Sequence, residues 1–399
     1  MAGLGAAPAW LSRAVYAAET PPRRKKVLVA VFQRGAADGL NIVVPYGDQR
    51  YYQMRPSIAI PKPDGGAESA VDLDGHFGLH PSLAGLKPVF DSKQLAIVEA
   101  VGSPDPTRSH FDAQDYMESG TPGLKATVDG WLNRAMLPEL GSKSSPLRAV
   151  SLGPELPRSL RGRNDAVAVA SIRDFHVADD QTANIFESMY DGSKDQILNG
   201  TGRETFEALK IVRSLQKNPY VPDAGAVYPK GRMGQSLQQI AQLIKADVGL
   251  EVAFTDLGGW DNHVNEVGGK PSQGPLANAL KEFGDGLAAF HRDLGPRMED
   301  VMVVTMSEFG RTAHENGNRG TDHGHANVMF VMGGGVQGGA IHGKWPGLAD
   351  HQLYEGRDLA LTTDFRDVLG EVVSKHLGNG NVASVFPGYT SPKFPGIIA

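Results

Sequence analysis

The sequence predicts an α/β fold in three layers, a mostly parallel sheet covered by helices on both faces. Three observations carry that expectation. Seven runs are apolar almost throughout rather than alternating, as strands buried on both faces are. Helical patterns separate several of them. Gly (49) and Pro (26) are plentiful, as suits a chain with many turns and not a helical bundle.

The elements follow in order. KVLVAVFQRG (26–35) is an apolar run closed by a glycine turn, and QLAIVEAVGS (94–103) is a second strand. LRAVSLG (147–153) and AVAVASI (166–172) are shorter. LEVAFTDLGG (250–259), DVMVVTMSEFG (300–310) and NVMFVMGGGV (327–336) complete the set. Helices are expected over 179–190, 203–217, 231–247, 275–294 and 364–377. The stretch 190–230 lacks a strong strand, so a helical insertion is expected around 179–247. Neither an internal repeat nor a dividing linker is visible, and one domain over 26–399 is expected.

Composition narrows the function. The 399 residues are 41% hydrophobic and 21% charged, as in an ordinary globular protein. The net charge is -6 with no basic stripe, which argues against nucleic acid as a partner. Without cysteine there is no disulfide, no thiolate metal site and no cysteine nucleophile. Any metal must bind through Asp, Glu, His or carbonyls. Residues 3–11 are small and apolar, and Val15 and Ala17 fit a signal-peptidase pattern. Residues 1–25 are read as the remnant of an export signal and its linker, in preference to a frayed helix. Nowhere does the apolar length reach the roughly 20 residues of a membrane span.

In such sheets functional residues gather at the carboxyl ends of strands. Here those ends carry Asp38, the run Thr107-Arg108-Ser109-His110, the run Asp261-Asn262-His263 and the pair Ser307-Glu308. Asp322-His323-Gly324-His325 precedes the last strand. Imidazole and carboxylate together suit divalent transition ions. The spacing of two puts His323 and His325 on one side of an extended segment, with Gly324 allowing a tight bend. Asp261 and His263 form a second pair. Glu308 ends a very apolar strand, where a carboxylate needs either a metal or Arg311 as an ion-pair partner. Asp38, Asp261, His263, Glu308, Asp322, His323 and His325 are therefore candidate metal ligands. Ser109 with Asp112 resembles a capping box. A hydroxyl there, Ser109 or Thr107, also lies in a field suited to an anion. Arg108 is placed to hold substrate oxygens, with Arg34, His110, Arg311 and Lys344 as further contacts.

The strings FQRGAADGLNIVVP, TRSHFDAQDYMESG, GGWDNH, SEFGRT and TDHGHANVMFVMGGGVQGG resemble the bacterial exported proteins of domain-of-unknown-function family 1501. The resemblance runs from about residue 26 to the C-terminus. Members typically begin with a twin-arginine signal, which implies a periplasmic or secreted location. That family is similar to the alkaline phosphatase-like superfamily of phosphatases, sulfatases, phosphodiesterases and mutases. The resemblance implies a three-layer sandwich with a metal centre at the strand ends. It implies Asp38 as the first-strand ligand, Asp261 and His263 as the pair before the penultimate strand, and a nucleophile within 107–109. Two registers stay open. In one, Glu308 and Phe309 replace an Asp-His pair and the late histidine is His323 or His325. In the other, Asp322-His323-Gly324-His325 is itself the DHxH string and the late histidine is His342.

The expected function is an exported hydrolase of phosphate or sulfate esters, acting on a small anionic ester or a sulfated or phosphorylated glycan. The expected cofactor is a divalent metal, zinc first, with manganese or calcium as alternatives. The competing reading is a non-catalytic periplasmic binding or assembly protein that retains the fold. A transferase or mutase on the same site is a third.

Overall fold

The computed structural model describes residues 25–138, 145–172, 207–217 and 219–399. The export segment, the helix expected over 179–190 and the start of the one expected over 203–217 lie outside them. A nine-stranded sheet runs through the centre. Its strands are β1 (Val27–Gln33), β2 (Leu95–Gly102), β3 (Ala149–Leu152), β4 (Val167–Val169), β5 (Val252–Leu257), β6 (Val301–Met306), β7 (Asn327–Gly333), β8 (Ile341–His342) and β9 (Thr363–Asp364). The order is β8-β2-β7-β6-β1-β5-β3-β4, with β9 also on β2.

Each of the seven apolar runs forms a strand. β1 shows why they read as continuous. Val27, Val29 and Val31 enter one core while Leu28, Ala30 and Phe32 enter the other. A strand buried on both faces has no polar side to alternate with. The first core is closed by α2 (Arg232–Lys245) and α3 (Pro275–Leu294). Met233, Leu237, Ile240 and Ile244 of α2 and Leu276, Leu280, Phe283, Leu287 and Phe290 of α3 give each helix one apolar stripe. The second core is closed by α4 (Phe365–Glu371), through Phe365, Val368 and Leu369, and by the short helix Trp131–Ala135. The fold is thus α/β, in three layers. The helix at 232–245, expected within an insertion, instead belongs to the layer covering the sheet. A three-stranded patch of two-residue strands (Val43–Val44, Gly78–Leu79, Val71–Asp72) is too short to show in periodicity.

All pairings of the large sheet are parallel except those of β7. The exception follows from the preceding loop. Residues 307–326 remain at the carboxyl edge where β6 ends, so β7 must start from that edge and run back. Asn327 fastens the arrangement, its amide donating to the carbonyls of Ala37 (3.0 Å) and Phe309 (2.9 Å). The ends of β1, β5 and β6, with the approach to β7, are thereby gathered at one place. No helix of the described residues is long and apolar enough to cross a membrane.

Past α4 the helix widens to a π-turn over Val372–His376. His376 there donates from Nε2 to the Val27 carbonyl (3.0 Å). His80 accepts from the Ser82 amide through Nδ1 (3.1 Å). Burial pushes both imidazoles down to about 4. Between pH 4 and the ordinary value near 6.5 the unfolded chain therefore binds more protons than the folded one. Stability rises with pH through that window and is lost on acidification. Calorimetric melting at pH 7, 5.5 and 4.5 should show a steep fall in Tm, flattened in His376→Gln. An equal slope in the two proteins would remove His376 from the account.

Candidate metal centre

The site is built by three loops and one helix start. β1 and β5 pair up to Gln33–Leu257, and β1 and β6 up to Phe32–Met306. The segments that follow, carrying Gly35, Asp261 and Glu308, emerge side by side. Gly35 has φ +119° and a Cβ there would lie 2.9 Å from the Asp261 amide nitrogen, so only glycine allows that approach. The fourth contributor is α1 (His110–Ser119), entered after β2.

His110, Asp261 and His323 offer ligand atoms that all lie within 4.8 Å of one another. His263 joins them, its Nε2 2.9 Å from Asp261 Oδ1 and 3.1 Å from His323 Nε2. His323 Nε2 is 3.3 Å from the same Asp261 oxygen, and His110 Nε2 is 3.6 Å from Asp261 Oδ2.

What faces away from the cluster decides which atoms carry protons. His110 Nδ1 donates to Glu308 Oε1 (2.8 Å), His263 Nδ1 to Asp322 Oδ1 (3.0 Å), and His323 Nδ1 to the Arg108 carbonyl (2.9 Å). With Nδ1 as the donor, a neutral imidazole presents an Nε2 lone pair. Three such lone pairs and a carboxylate then converge, with the Arg311 guanidinium reaching His263 Nε2 (3.5 Å) and Asp261 Oδ1 (2.6 Å) from one side. His110 Nε2 is buried without any hydrogen-bond partner. A cation removes that repulsion, and imidazoles oriented by an acceptor on the second nitrogen are the usual setting of metal sites. Ligand contacts of about 3 Å also suit donors arranged around one zinc-sized ion at roughly 2.0–2.1 Å. The residues present therefore fit a metal.

The electrostatics of the cluster is mixed: it favours a proton on His110 and a neutral ring at His323. The hydrogen bond to Glu308 raises the His110 pKa against the opposing effect of burial. Burial lowers that of His323 and keeps it neutral. Burial would raise Asp261, but the Arg311 guanidinium outweighs it and holds the carboxylate ionised. Glu308 is buried too, and bonds from His110, Gln114 (2.9 Å) and the Gly35 amide (2.8 Å) bring its pKa below the usual range.

Several residues expected at the site do other work. Asp38 is buried in a pair with Arg55, at 2.5 and 2.9 Å, outside the cluster. Glu308 and Asp322 hold His110 and His263 from behind. His325 does not share a side with His323, because the chain bends there and its ring stacks on Tyr354 (centroids 4.4 Å). Gly324 supplies room, not a left-handed turn: a Cβ would meet the Arg311 carbonyl at 2.3 Å. His342 donates to the Gln337 carbonyl, on β8. Arg311 is fully buried and engaged with Asp261 (2.6 Å) and the carbonyls of Gly35, Ala36, Trp260 and Thr321, so it positions loops and has no donor left for substrate. Arg108 pairs with Asp358 (2.6 Å) and Glu355 (2.7 Å). Arg34 pairs with Asp256 (2.6 Å) and Glu118 (2.9 Å). Phe309, which stands where one register places a histidine, stacks on His110 (5.0 Å).

His110, expected to touch substrate, stands in the cluster with Asp261 and His323. The local signal was its place at the start of α1. Ser109 is the helix N-cap, but its side chain makes no capping bond, so the box with Asp112 does not form. Thr107 Oγ1 accepts from the Ser109 amide (3.2 Å). Ser109 is exposed and stands between two anchored neighbours, the Arg108 carbonyl on His323 and the His110 ring in the cluster. The outer side of the cluster is open, with side-chain exposures of 46% for Asp261 and 39% for His263.

A family model described as a protein of unknown function (DUF1501) matches residues 91–382. No curated protein matches the chain. Solved structures similar to it include the following three. One is a protein in the alkaline phosphatase superfamily from Vibrio parahaemolyticus, with TM-score 0.35, 9% identity, and 80% of this chain and 62% of that one covered. Another is the lipoteichoic acid synthase LtaP from Listeria monocytogenes, with TM-score 0.36, 8% identity and coverage of 90% and 73%. The third is the PsFucS1 sulfatase from Pseudoalteromonas sp., with TM-score 0.36, 13% identity and coverage of 82% and 66%. The chain thus spans just under two thirds of the length of the first and third of these.

Proposed function

We propose, for a chain that belongs to the DUF1501 family, a metal-dependent hydrolase of phosphate or sulfate esters. One observation carries the reading: three imidazole Nε2 atoms and the Asp261 carboxylate converge while every Nδ1 is tied to an acceptor. His110, Asp261, His263 and His323 hold the ion, zinc first among the divalent candidates. When bound it supplies positive charge that stabilises the oxygens of a phosphoryl or sulfuryl group in the transition state.

The chain's own residues do the rest. Ser109 Oγ forms the bond to phosphorus or sulfur and releases its proton to water. The bond from that atom to the alcohol oxygen breaks, and the alcohol leaves with a proton from water. A second water then hydrolyses the seryl ester. Thr107 is the weaker nucleophile, because its hydroxyl oxygen already accepts the Ser109 amide (3.2 Å). Arg311 keeps Asp261 ionised, and Glu308 and Asp322 fix the rotation of His110 and His263. Export to the periplasm or beyond belongs to the same proposal and rests on residues 1–25 and the family resemblance.

A panel of phosphate and sulfate esters tests the activity, and Ser109→Ala tests the nucleophile. This variant should keep wild-type metal content and melting temperature while kcat falls about 10³-fold or more. A rate above a tenth of wild type would take the role from Ser109. Metal bound without turnover on any ester would favour the binding-protein reading.

A further inference from the structure

A second feature lies beside the metal centre and is reached from it by successive hydrogen bonds. Glu308 joins His110 to Gln114 (2.8 and 2.9 Å), and Gln114 Oε1 accepts from Arg34 (2.9 Å). Arg34 lines a cleft of about 360 Å³ together with Arg158, Arg161 and Arg232. That volume falls in the usual range of small-ligand sites, roughly 300–1,000 Å³.

The four arginines face three carboxylates in the lining, Glu118, Glu155 and Asp256. Two of the arginines are locally neutralised. Arg34 pairs with Asp256 and Glu118, and Arg232 with Asp256. Arg158 is paired outside the lining and keeps a free donor, and Arg161 has no carboxylate beside it among the described residues. Arg158 reaches Asp115 through one terminal nitrogen, and its Nε is buried with no hydrogen-bond partner. Arg161 donates its Nε–H to the Leu156 carbonyl (3.2 Å) and has no carboxylate partner among the described residues. Burial and the nearby Arg161 charge both lower the Arg158 pKa. Planar guanidinium groups match tetrahedral oxyanions through paired N–H donors.

We propose that Arg158 and Arg161 form an oxyanion subsite beside the metal centre that takes a second phosphate or sulfate group of the substrate. The preferred ester then carries an anionic group besides the one hydrolysed, as in a multiply sulfated or phosphorylated glycan. This assignment of substrate class rests on the hydrolase reading above, but binding at the subsite does not require turnover.

Inorganic phosphate, titrated calorimetrically, separates the two sites. The protein as purified and a His110→Ala variant, which loses the metal site, should both bind it. Adding Arg158→Gln and Arg161→Gln to His110→Ala should weaken that binding more than tenfold. Arg161→Gln alone, a change at an exposed residue, guards against misfolding and should weaken it in the same direction. Phosphate binding that vanishes with His110→Ala, that survives the arginine changes, or that is absent from every form would overturn the subsite. Metal content measured on the same samples reports separately on the metal centre.

Discussion

His110→Ala should purify with almost no bound metal and should lose ester hydrolysis, while His325→Ala should keep both. The ring of His110 stands in the cluster with Asp261 and His323, beside His263, and its Nε2 has no hydrogen-bond partner. Removing it opens the coordination shell and leaves Glu308 buried without its imidazole donor. Loss of an outer partner of a metal site costs roughly 10–100-fold in affinity, so loss of a donor should cost more. His325 is a sharp control. It lies two residues from His323, yet its ring stacks on Tyr354. Elemental analysis of protein purified without chelator or affinity metal, beside kcat/KM on the best ester, reads both variants. Metal retained in His110→Ala and lost from His325→Ala would reverse the assignment and restore the histidine pair read from spacing.

Arg55→Met should destabilise the fold by about 3–5 kcal/mol, the usual cost of leaving a buried charge without its partner. Arg55 is fully buried. It bonds both oxygens of Asp38, the Asn41 side chain (2.9 Å) and the carbonyls of Thr312 (2.8 Å) and Ala313 (3.0 Å). Glu266 lies in the same network, where burial and the Asp38 charge push its pKa well up. Without Arg55, Asp38 is left as a lone buried carboxylate. The loss should therefore shrink in Arg55→Met/Asp38→Asn, which removes both charges. Urea unfolding measures all three proteins. A loss below about 1 kcal/mol in Arg55→Met would mean that Asp38 finds water or another donor. Because Arg55 also holds the chain at Thr312, next to Arg311, weaker metal retention is expected to accompany the lost stability.

These two results divide what was legible in the sequence from what was not. The strands were legible because burial on both faces of a sheet leaves a local mark, an unbroken apolar run, that needs no partner to be read. The same holds for the stripes of α2 and α3 and for the crowding of polar residues at strand ends. Asp261, His263 and His323 could be named as a group of interest because Gly-rich turns after or before strong strands point to one edge of the sheet. The role of each side chain was another matter. His110 and Glu308 are 198 positions apart and meet only because β2 and β6 lie on either side of β7. Asp38 carries the same carboxylate as Asp261, but one is buried with the Arg55 guanidinium, while the other, besides its pair with Arg311, faces imidazoles. His323 and His325 are separated by a backbone bend that their spacing does not reveal. Hydrophobic pattern is written over a few residues and survives any packing of the elements, so the sequence determined the layers, the strands and the edge where chemistry gathers. Which lone pairs converge there depends on strand order and loop packing to within a few ångströms, and only the tertiary structure decided that.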